Sequence, residues 1–238
     1  MDTENETPAC EGANTWHTHQ HMPFDEAVIS RHSTRLFLPK PIPDDVFNSA
    51  LQLAAHSPSN SNTQAWRLYV VTGAALQRLK AALTGVASSG VAPNILPLPE
   101  EFRPWRSELG KAVYGDGWGI PREDTEARQK AVLHNYDFFG APVGIIVCMS
   151  KKLPGFAAMS VGMYLQTLLL AFTDRGLGSC VQVSIAGYKD VVREQVGIAD
   201  DLEILCGVSV GYEDTEANVN RVRLRRIGVG ETTVFVTE

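Results

Sequence analysis

Two short polar clusters are the places in this 238-residue chain where residue type and spacing suggest chemistry. In the first, Arg31, His32, Ser33 and Arg35 bring two guanidinium groups, an imidazole and a hydroxyl into five positions. Guanidinium forks match the geometry of phosphate oxygens and a neighbouring hydroxyl adds a donor, so the cluster suits a terminal phosphate. The second, Ser57, Ser59, Asn60, Ser61, Asn62 and Gln64, is polar without charge. Its amides and hydroxyls supply the donors and acceptors that read a flat heterocycle or a polyol. Ser, Asn and Pro also populate ordinary solvated turns, and either cluster alone reads that way. Their order is more informative: one helical run separates them, and Gln64-Ala65-Trp66 then leads into the strand-like Arg67-Leu68-Tyr69-Val70-Val71.

Other catalytic sets are missing. The chain has no Gly-x-Ser-x-Gly elbow, no P-loop and no His-Glu-x-x-His, and its acidic residues show no recognisable paired spacing. Gly176-Leu177-Gly178-Ser179-Cys180 invites a dinucleotide reading, but a Rossmann glycine loop follows a strand and opens a helix. Here the glycines follow a helical run, where Gly176 fits as a C-cap. A phosphate-type cluster and an amide-type cluster without a nucleophile fit a protein whose cofactor carries the chemistry.

The elements that must position these residues can be read from periodicity. Residues 23–30 read as a short helix, with Pro23 suited to a first turn and Phe24 and Val28 four apart on one face. Pro43-Asp44-Asp45 opens the helix between the clusters, its carboxylates placed where the helix dipole favours them. Val46, Phe47, Ala50, Leu51 and Ala54 form its apolar stripe, and Pro58 excludes its continuation. Residues 66–72 alternate as a strand, and Gly73 turns into a helix over 74–83. Residues 84–135 read as an insertion, with a Gly-, Ser- and Pro-rich loop over 84–104. Helices over 105–114 and 122–139 follow, separated by Gly115-Asp116-Gly117-Trp118-Gly119. The aromatic side chains of this region, Phe102, Trp105, Tyr114, Trp118, Tyr136, Phe138 and Phe139, either line a pocket for a flat substrate or pack a core.

Val143-Gly144-Ile145-Ile146-Val147-Cys148-Met149 suggests a central strand covered on both faces. Residues 156–175 are apolar nearly all round and read as a buried helix, with Met159 and Met163 serving a core or a subunit interface. A strand over 180–183, a helix over 188–196 and a strand over 203–212 follow. The basic segment 218–226 carries Arg221, Arg223, Arg225 and Arg226, a solvated charge run by default. Residues 232–236 (Thr-Thr-Val-Phe-Val) have strand propensity. Strands separated by helices rather than tight hairpins give an α+β fold, a mixed, mainly antiparallel sheet between helical layers. A terminal strand needs an edge to pair with, and exchange in a two-fold homodimer supplies one for each copy.

The stretch from Arg31 to Trp66 resembles the start of the nitroreductase family of flavin mononucleotide (FMN) enzymes. That family shows Arg-x-Ser-x-Arg/Lys, then Pro-x-Pro opening a helix, then Pro-Ser-x-x-Asn-x-Gln-x-Trp before a strand. Arg31-His32-Ser33-Thr34-Arg35, Pro41-Ile42-Pro43 and Pro58-Ser59-Asn60-Ser61-Asn62-Thr63-Gln64-Ala65-Trp66 match it, with Ala65 replacing the commoner Pro. The likeness runs from about residue 24 to the C-terminus. It implies a three-layer fold in a strand-exchanged homodimer, with one FMN per protomer at the subunit interface. NADH or NADPH passes hydride to the flavin, and a planar acceptor then takes its place in a ping-pong cycle. The resemblance places Arg31, His32, Ser33 and Arg226 at the phosphate and ribityl chain, with Arg223 in reserve, and Arg35 nearer the ribityl or pyrimidine edge. Pro58, Ser59, Asn60 and Asn62 approach from one subunit, and Gln182, Ser184 and Ile185 lie near the flavin ring. Phe138-Phe139-Gly140-Ala141-Pro142-Val143 and the insertion look most like the nitrobenzoate and nitroarene reductase branch. An NAD(P)H-flavin reductase and a non-catalytic flavin binder are the other readings.

The totals are compatible with this. A net charge of −6 does not favour a nucleic-acid groove. Cys10, Cys148, Cys180 and Cys206 fit neither a zinc site nor a disulfide framework. No segment is apolar for long enough to span a bilayer, and the acidic N-terminus lacks a signal peptide's features, so a reducing cytoplasm is the expected home. Residues 1–22 read as a disordered tail, whose His17, His19 and His21 could bind a metal weakly. Residues 23–238 read as a single domain.

Overall fold

The computed structural model describes residues 21–237. His17 and His19 of the expected tail lie outside them; His21 lies inside, its Nδ1 2.8 Å from Asp174 Oδ2. The strands are β1 (Trp66–Thr72), β2 (Val143–Ser150), β3 (Gly178–Gln182) and β4 (Leu202–Gly211), in the spatial order β1-β2-β4-β3. All three ladders are antiparallel. Among the described residues, parallel pairing is confined to an isolated bridge between Ser33 and Ser179 on the outer edge of β3, so the expected mixed, mainly antiparallel sheet is antiparallel in all its ladders.

β2 earns its central place from composition: every residue from Val143 to Met149 is buried. Val, Ile and Cys without polar alternation can be satisfied only with helices on both faces. On one face lie α2 (Asp44–Ala54) and α6 (Ala157–Asp174), preceded in the chain by α1 (Phe24–Ser30). Their core joins Phe47, Ala50, Leu168 and Phe172 to Ile145 and Val147 of the sheet. Phe47 and Phe172 stack at 5.5 Å, and Trp66 stacks on Tyr164 at 4.5 Å. Burying such a side chain contributes about 1.5–3 kcal/mol, and the Trp66 stack also ties the end of the second polar cluster to α6. On the other face α3 (Gly73–Ser88) packs with later helices around Leu76, Leu79, Leu83, Ile146 and Cys148.

Several expectations are corrected. α6 is not buried all round: it buries Val161, Tyr164, Leu168 and Phe172 but leaves Met159 69% exposed and Met163 37% exposed. Phe156 before it and Phe24 and Ile29 on α1 are exposed too, so this side of the protein is apolar. In the insertion, α4 (Arg103–Gly110) runs on through a π-helical stretch, Lys111–Gly117, across the expected glycine break. The helix expected over 122–139 is instead α5 (Thr125–Leu133) and a separate turn, Phe138–Gly140. Two side chains explain the split. Asp124 Oδ1 accepts the N–H of Ala127 at 2.9 Å and starts α5, while the Asp137 side chain accepts the N–H of Gly140. Between them Phe138 and Phe139 take left-handed φ values of 56° and 53°, which no helix continues through.

Three short helices follow β3 and β4: α7 (Val183–Ala186), α8 (Lys189–Val196) and α9 (Asn218–Arg221). The expected strand over 232–236 does not form within its own chain. Thr232 closes a helical turn, α10 (Val229–Thr232), and residues 233–237 belong to no element. Val234, Phe235 and Val236 are 79–86% exposed, as strand formers are when no edge is offered to them.

Gly178 shows how tightly the first cluster is fitted to the sheet. A Cβ there would lie 2.5 Å from Thr34 Oγ1, and Thr34 is fully buried. Gly178→Ala should therefore lower the unfolding free energy by about 1–3 kcal/mol, read from urea denaturation.

Candidate active site

The first cluster is an extended segment laid along the outer edge of β3. The backbone N–H of Thr34 donates to Ser179 O at 2.9 Å, and Leu38 and Asp214 continue the pairing across to the end of β4. The segment is clamped from the other side by Asn220, which is 1% exposed. Asn220 Oδ1 accepts from the N–H of Arg35 at 2.6 Å and of Leu36 at 3.2 Å; its Nδ2 donates to Leu36 O at 2.7 Å and Asp214 O at 2.9 Å. Asn220 sits in α9, so the same contacts bring the basic tail after α9 to the cluster.

The outcome is a concentration of guanidinium groups that pair with no carboxylate among the described residues, the acid at the cluster, Glu213, facing His32 instead. Burial first, then the charges of Arg226 and Arg223, pushes the Arg31 guanidinium below its ordinary value, against the opposing effect of Cys180. Arg31 forms no side-chain hydrogen bond or ion pair among the described residues. Arg35 donates only to Ser33 O, Arg223 to Asn220 O and Val222 O, and Arg226 to Leu224 O and Arg225 O. None of the four meets a carboxylate among the described residues. Like charges held together this way favour an anion between them. His32 is differently employed: Nδ1 faces Ser30 O at 2.8 Å and Nε2 faces Glu213 Oε1 at 3.1 Å, so both ring nitrogens are engaged within the protein.

The second cluster is a strained loop, exposed from Asn60 to Gln64 and buried at Ser57, whose Oγ has no hydrogen-bond partner among the described residues. Ser61, Asn62 and Gln64 have φ of 51°, 53° and 45°, conformations that side chains rarely adopt. Among the contacts that hold it, Ser59 Oγ accepts the N–H of Gln64 at 3.0 Å, Ser59 O accepts that of Asn62, and Ser160 Oγ on α6 accepts that of Asn60 at 3.2 Å. Pro58, Asn60 and Asn62 are exposed, and the side-chain oxygens of Asn60 and Asn62 accept from Ser61 Oγ and Gln64 Nε2. Ser160 was not expected as a site residue, yet a serine on an otherwise apolar helix face is the available signal, because a buried hydroxyl needs a partner.

The register fixes where the clusters stand relative to each other. Ser33 bridges Ser179, which pairs with Val210, then Val143, then Thr72. The second cluster adjoins Trp66, at the opposite end of β1 on the opposite edge of the sheet. Four lateral spacings, counting the one from Ser33 to β3, give ~19 Å across and six residues give ~20 Å along, so the clusters lie roughly 28 Å apart on a diagonal.

The third group lies beyond β3. Gln182 is buried, donates to Asn135 O at 2.6 Å and accepts from Ser209 Oγ, so its amide is used internally. The Ile185 side chain is fully buried against Gly207 and can offer a ligand only its backbone. Ser184 Oγ is buried and unpartnered among the described residues. The insertion loop leans on this region, since Asn94 N donates to Gly187 O and Tyr188 Oη to Val91 O. Of the insertion aromatics, Tyr136, Phe138 and Phe139 are core, and Trp118 stacks on His134 at 5.1 Å. Phe102 and Trp105 instead line an open groove.

The strands and helices define a three-layer α+β protein. Residues 28–212 match the model of the nitroreductase family, and the chain belongs to that family. It is 37% identical to a 4-nitrobenzoate reductase of Pseudomonas putida, over 85% of this chain and 91% of that one. It is 34% identical to a nitrobenzene nitroreductase of Ectopseudomonas oleovorans, over 91% and 98% respectively. Among solved structures, the FMN and NADPH-dependent nitroreductase NfnB from Sphigopyxis sp. strain HMH superposes with a TM-score of 0.87 at 31% identity, covering 91% of this chain and all of that one. The FMN-dependent nitroreductase NfnB from Mycobacterium smegmatis in complex with NADPH gives 0.83 at 34%, covering 90% and 97%.

The clamp makes a direct prediction. Asn220→Ala leaves the N–H groups of Arg35 and Leu36 without a partner, at about 1–3 kcal/mol for each buried group left unsatisfied, while the carbonyls of Leu36 and Asp214 each keep a backbone donor. Its urea midpoint should fall clearly below wild type, whereas Arg221→Ala next to it, on the exposed side, should hardly move it.

Proposed function

We propose that the protein is an FMN-dependent oxidoreductase that takes hydride from NADH or NADPH and delivers it to a nitroaromatic acceptor by a ping-pong cycle. The observation that carries this reading is the group of four guanidiniums that pair with no carboxylate among the described residues, set where the family's phosphate motif falls. The donor set suits the cofactor: Arg31, Ser33, Arg223 and Arg226 offer charged and hydroxyl donors for a phosphate, and Arg35 carries positive charge further along. Ser184 adds an unpartnered buried hydroxyl. When bound, FMN supplies the hydride chemistry. The protein's own part is to hold the phosphate, keep positive charge beside the reduced ring, and admit flat molecules to one face. No side chain is needed as acid or base, since solvent reaches the exposed second cluster.

The working unit in this reading is a homodimer. The two clusters lie too far apart in one chain for a single flavin to span, so Pro58, Ser59, Asn60 and Asn62 serve the site whose phosphate cluster belongs to the partner subunit. The exposed apolar side around Met159, Met163, Phe24 and Ile29 supports close association of two copies. The exposed Val234, Phe235 and Val236 support exchange of the C-terminal segment onto the partner's sheet. Within each copy, residues 23–238 act as one flavin-binding domain and 84–135 as an insertion beside the site. The described cysteines, Cys148, Cys180 and Cys206, are free thiols, and no helix among the described residues is long and apolar enough to cross a membrane. Both features support the cytoplasm as the compartment.

Purified protein should be yellow and should bleach on addition of NADH or NADPH under nitrogen, with colour restored by a nitroarene. Arg31→Ala should weaken flavin binding by about 1.5–3 kcal/mol, roughly ten- to a hundredfold in Kd; unchanged affinity would remove the first cluster from the site. Deleting residues 231–238 should lower dimer content and flavin content together, as read by light scattering and absorbance. A truncated protein that stays dimeric and keeps its flavin contradicts strand exchange.

A further inference from the structure

Residues 91–96, the part of the insertion loop that leans on the end of α7, hold Val91, Ile95 and Leu96 out to solvent, with Leu96 91% exposed. No charged residue stands between Lys80 and Glu100, and residues 91–99 belong to no helix or strand. Single exposed aliphatic side chains are ordinary, but several on one uncharged loop mark a contact surface. The loop is nevertheless fixed in place. Gly187 O accepts the N–H of Asn94 at 2.8 Å, and Tyr188 Oη donates to Val91 O at 2.7 Å. A Cβ on Gly187 would lie 2.6 Å from Pro93 Cβ and 3.0 Å from the Ile95 side chain, so glycine alone lets the loop come this close. Tyr188 is itself buried and meets the Tyr136 ring edge-on at 5.3 Å. Further along, Leu98 turns away to the groove beside α4.

We infer that residues 91–96 form a strap beside the flavin ring, that Leu96 is a specificity-determining contact for the acceptor, and that Gly187 and Tyr188 are the positioning residues that hold the strap there. The inference rests on the oxidoreductase reading, which sets Ser184 and Ile185 of α7 at the ring. Gly187 and Tyr188 follow that group directly in the chain, so whatever places α7 also places the strap. The tie extends to Gln182, since Tyr136, which packs on Tyr188, adjoins the Asn135 carbonyl that Gln182 holds. A flat aromatic lying on the ring presents apolar edges, and an aliphatic side chain meets them by dispersion and release of water, with no polar partner needed. The competing occupant is the partner subunit. The strap continues from α3, on the sheet face opposite α2 and α6, whereas the apolar side proposed for association lies on α1 and α6. That separation assigns Leu96 to the acceptor.

The test compares full-length wild type with Leu96→Ala, Gly187→Ala and Tyr188→Phe. Flavin content is read by absorbance. Flavin reduced with dithionite is reoxidised in stopped flow by nitrobenzene, or by ferricyanide, which takes electrons without lying against the ring. Thermolysin, which cuts before aliphatic residues, probes the strap with and without nitrobenzene. Leu96→Ala should raise the half-saturating nitrobenzene concentration roughly tenfold, the scale of lost apolar contact in a substrate pocket, with the ferricyanide rate and flavin content unmoved. Gly187→Ala and Tyr188→Phe should speed cleavage within 91–96 and bring a similar loss with nitrobenzene, while nitrobenzene should slow that cleavage in wild type. Unchanged half-saturation in Leu96→Ala overturns the inference, as do equal losses with both acceptors. A wild-type strap that resists thermolysin without nitrobenzene, together with lower dimer content in Leu96→Ala by light scattering, reassigns it to the subunit contact and also overturns the inference. A colourless wild type counts against the flavin reading, and the thermolysin measurement then decides the strap by itself. The inference stands if nitrobenzene protects wild type and not Leu96→Ala, and falls if it protects both or neither.

Discussion

The site depends on one buried amide. Asn220 binds four main-chain groups of two segments that lie far apart in sequence, and so fixes the basic tail against the segment from Arg31 to Phe37. Without it, electrostatics would drive those parts away from each other, because Arg31, Arg35, Arg223 and Arg226 repel and pair with no carboxylate among the described residues. The hydrogen bonds of one uncharged side chain hold a cationic cluster together in the absence of its anion. In the proposed function, an anion bound there would relieve the repulsion, and the fold would already have imposed the geometry that receives it. Gly178 and Thr34 add a steric part to the same constraint, since the cluster lies against β3 with no room for a methyl group.

A second constraint comes from the sheet. With the order β1-β2-β4-β3, the phosphate cluster and the amide cluster occupy diagonal corners, and α6 runs between them from Ser160 toward Asp174. No loop movement within one chain closes that span. In the proposed dimer, two copies related by a two-fold axis would close it twice, each lending its amide loop to the other's phosphate cluster. The strained backbone at Ser61, Asn62 and Gln64 fits this role, since strain of this kind persists where a loop must present its polar groups outward to a ligand.

What the chain discloses on reading follows from the range of the interactions. β2 was legible because a seven-residue apolar run has few alternatives. The start of α2 was legible because proline and two carboxylates mark a first turn. The two polar clusters stand out because their residues are nearly consecutive. The Asn220 clamp was not, because it acts across 184 and 185 positions and asparagine in a polar tail looks like any loop residue. His32 looked like a phosphate ligand until its long-range partner, Glu213, was in view. The run over 122–139 looked helical because periodicity does not reveal that Phe138 and Phe139 adopt left-handed conformations. α6 looked buried all round because apolarity alone does not say which side faces a core and which faces solvent or a second copy.

The central claim is that each site is shared between two chains, and a mixed dimer tests it most directly. Arg31→Ala damages the phosphate cluster, and the double variant Asn60→Ala with Asn62→Ala damages the amide loop. Each variant alone should retain little flavin. Co-expressed with different affinity tags and isolated as the mixed species, they should recover about half the wild-type flavin content, because one of the two shared sites then draws both intact clusters. Mixed dimers as flavin-poor as their parents would contradict the account and place both clusters in one chain's own site.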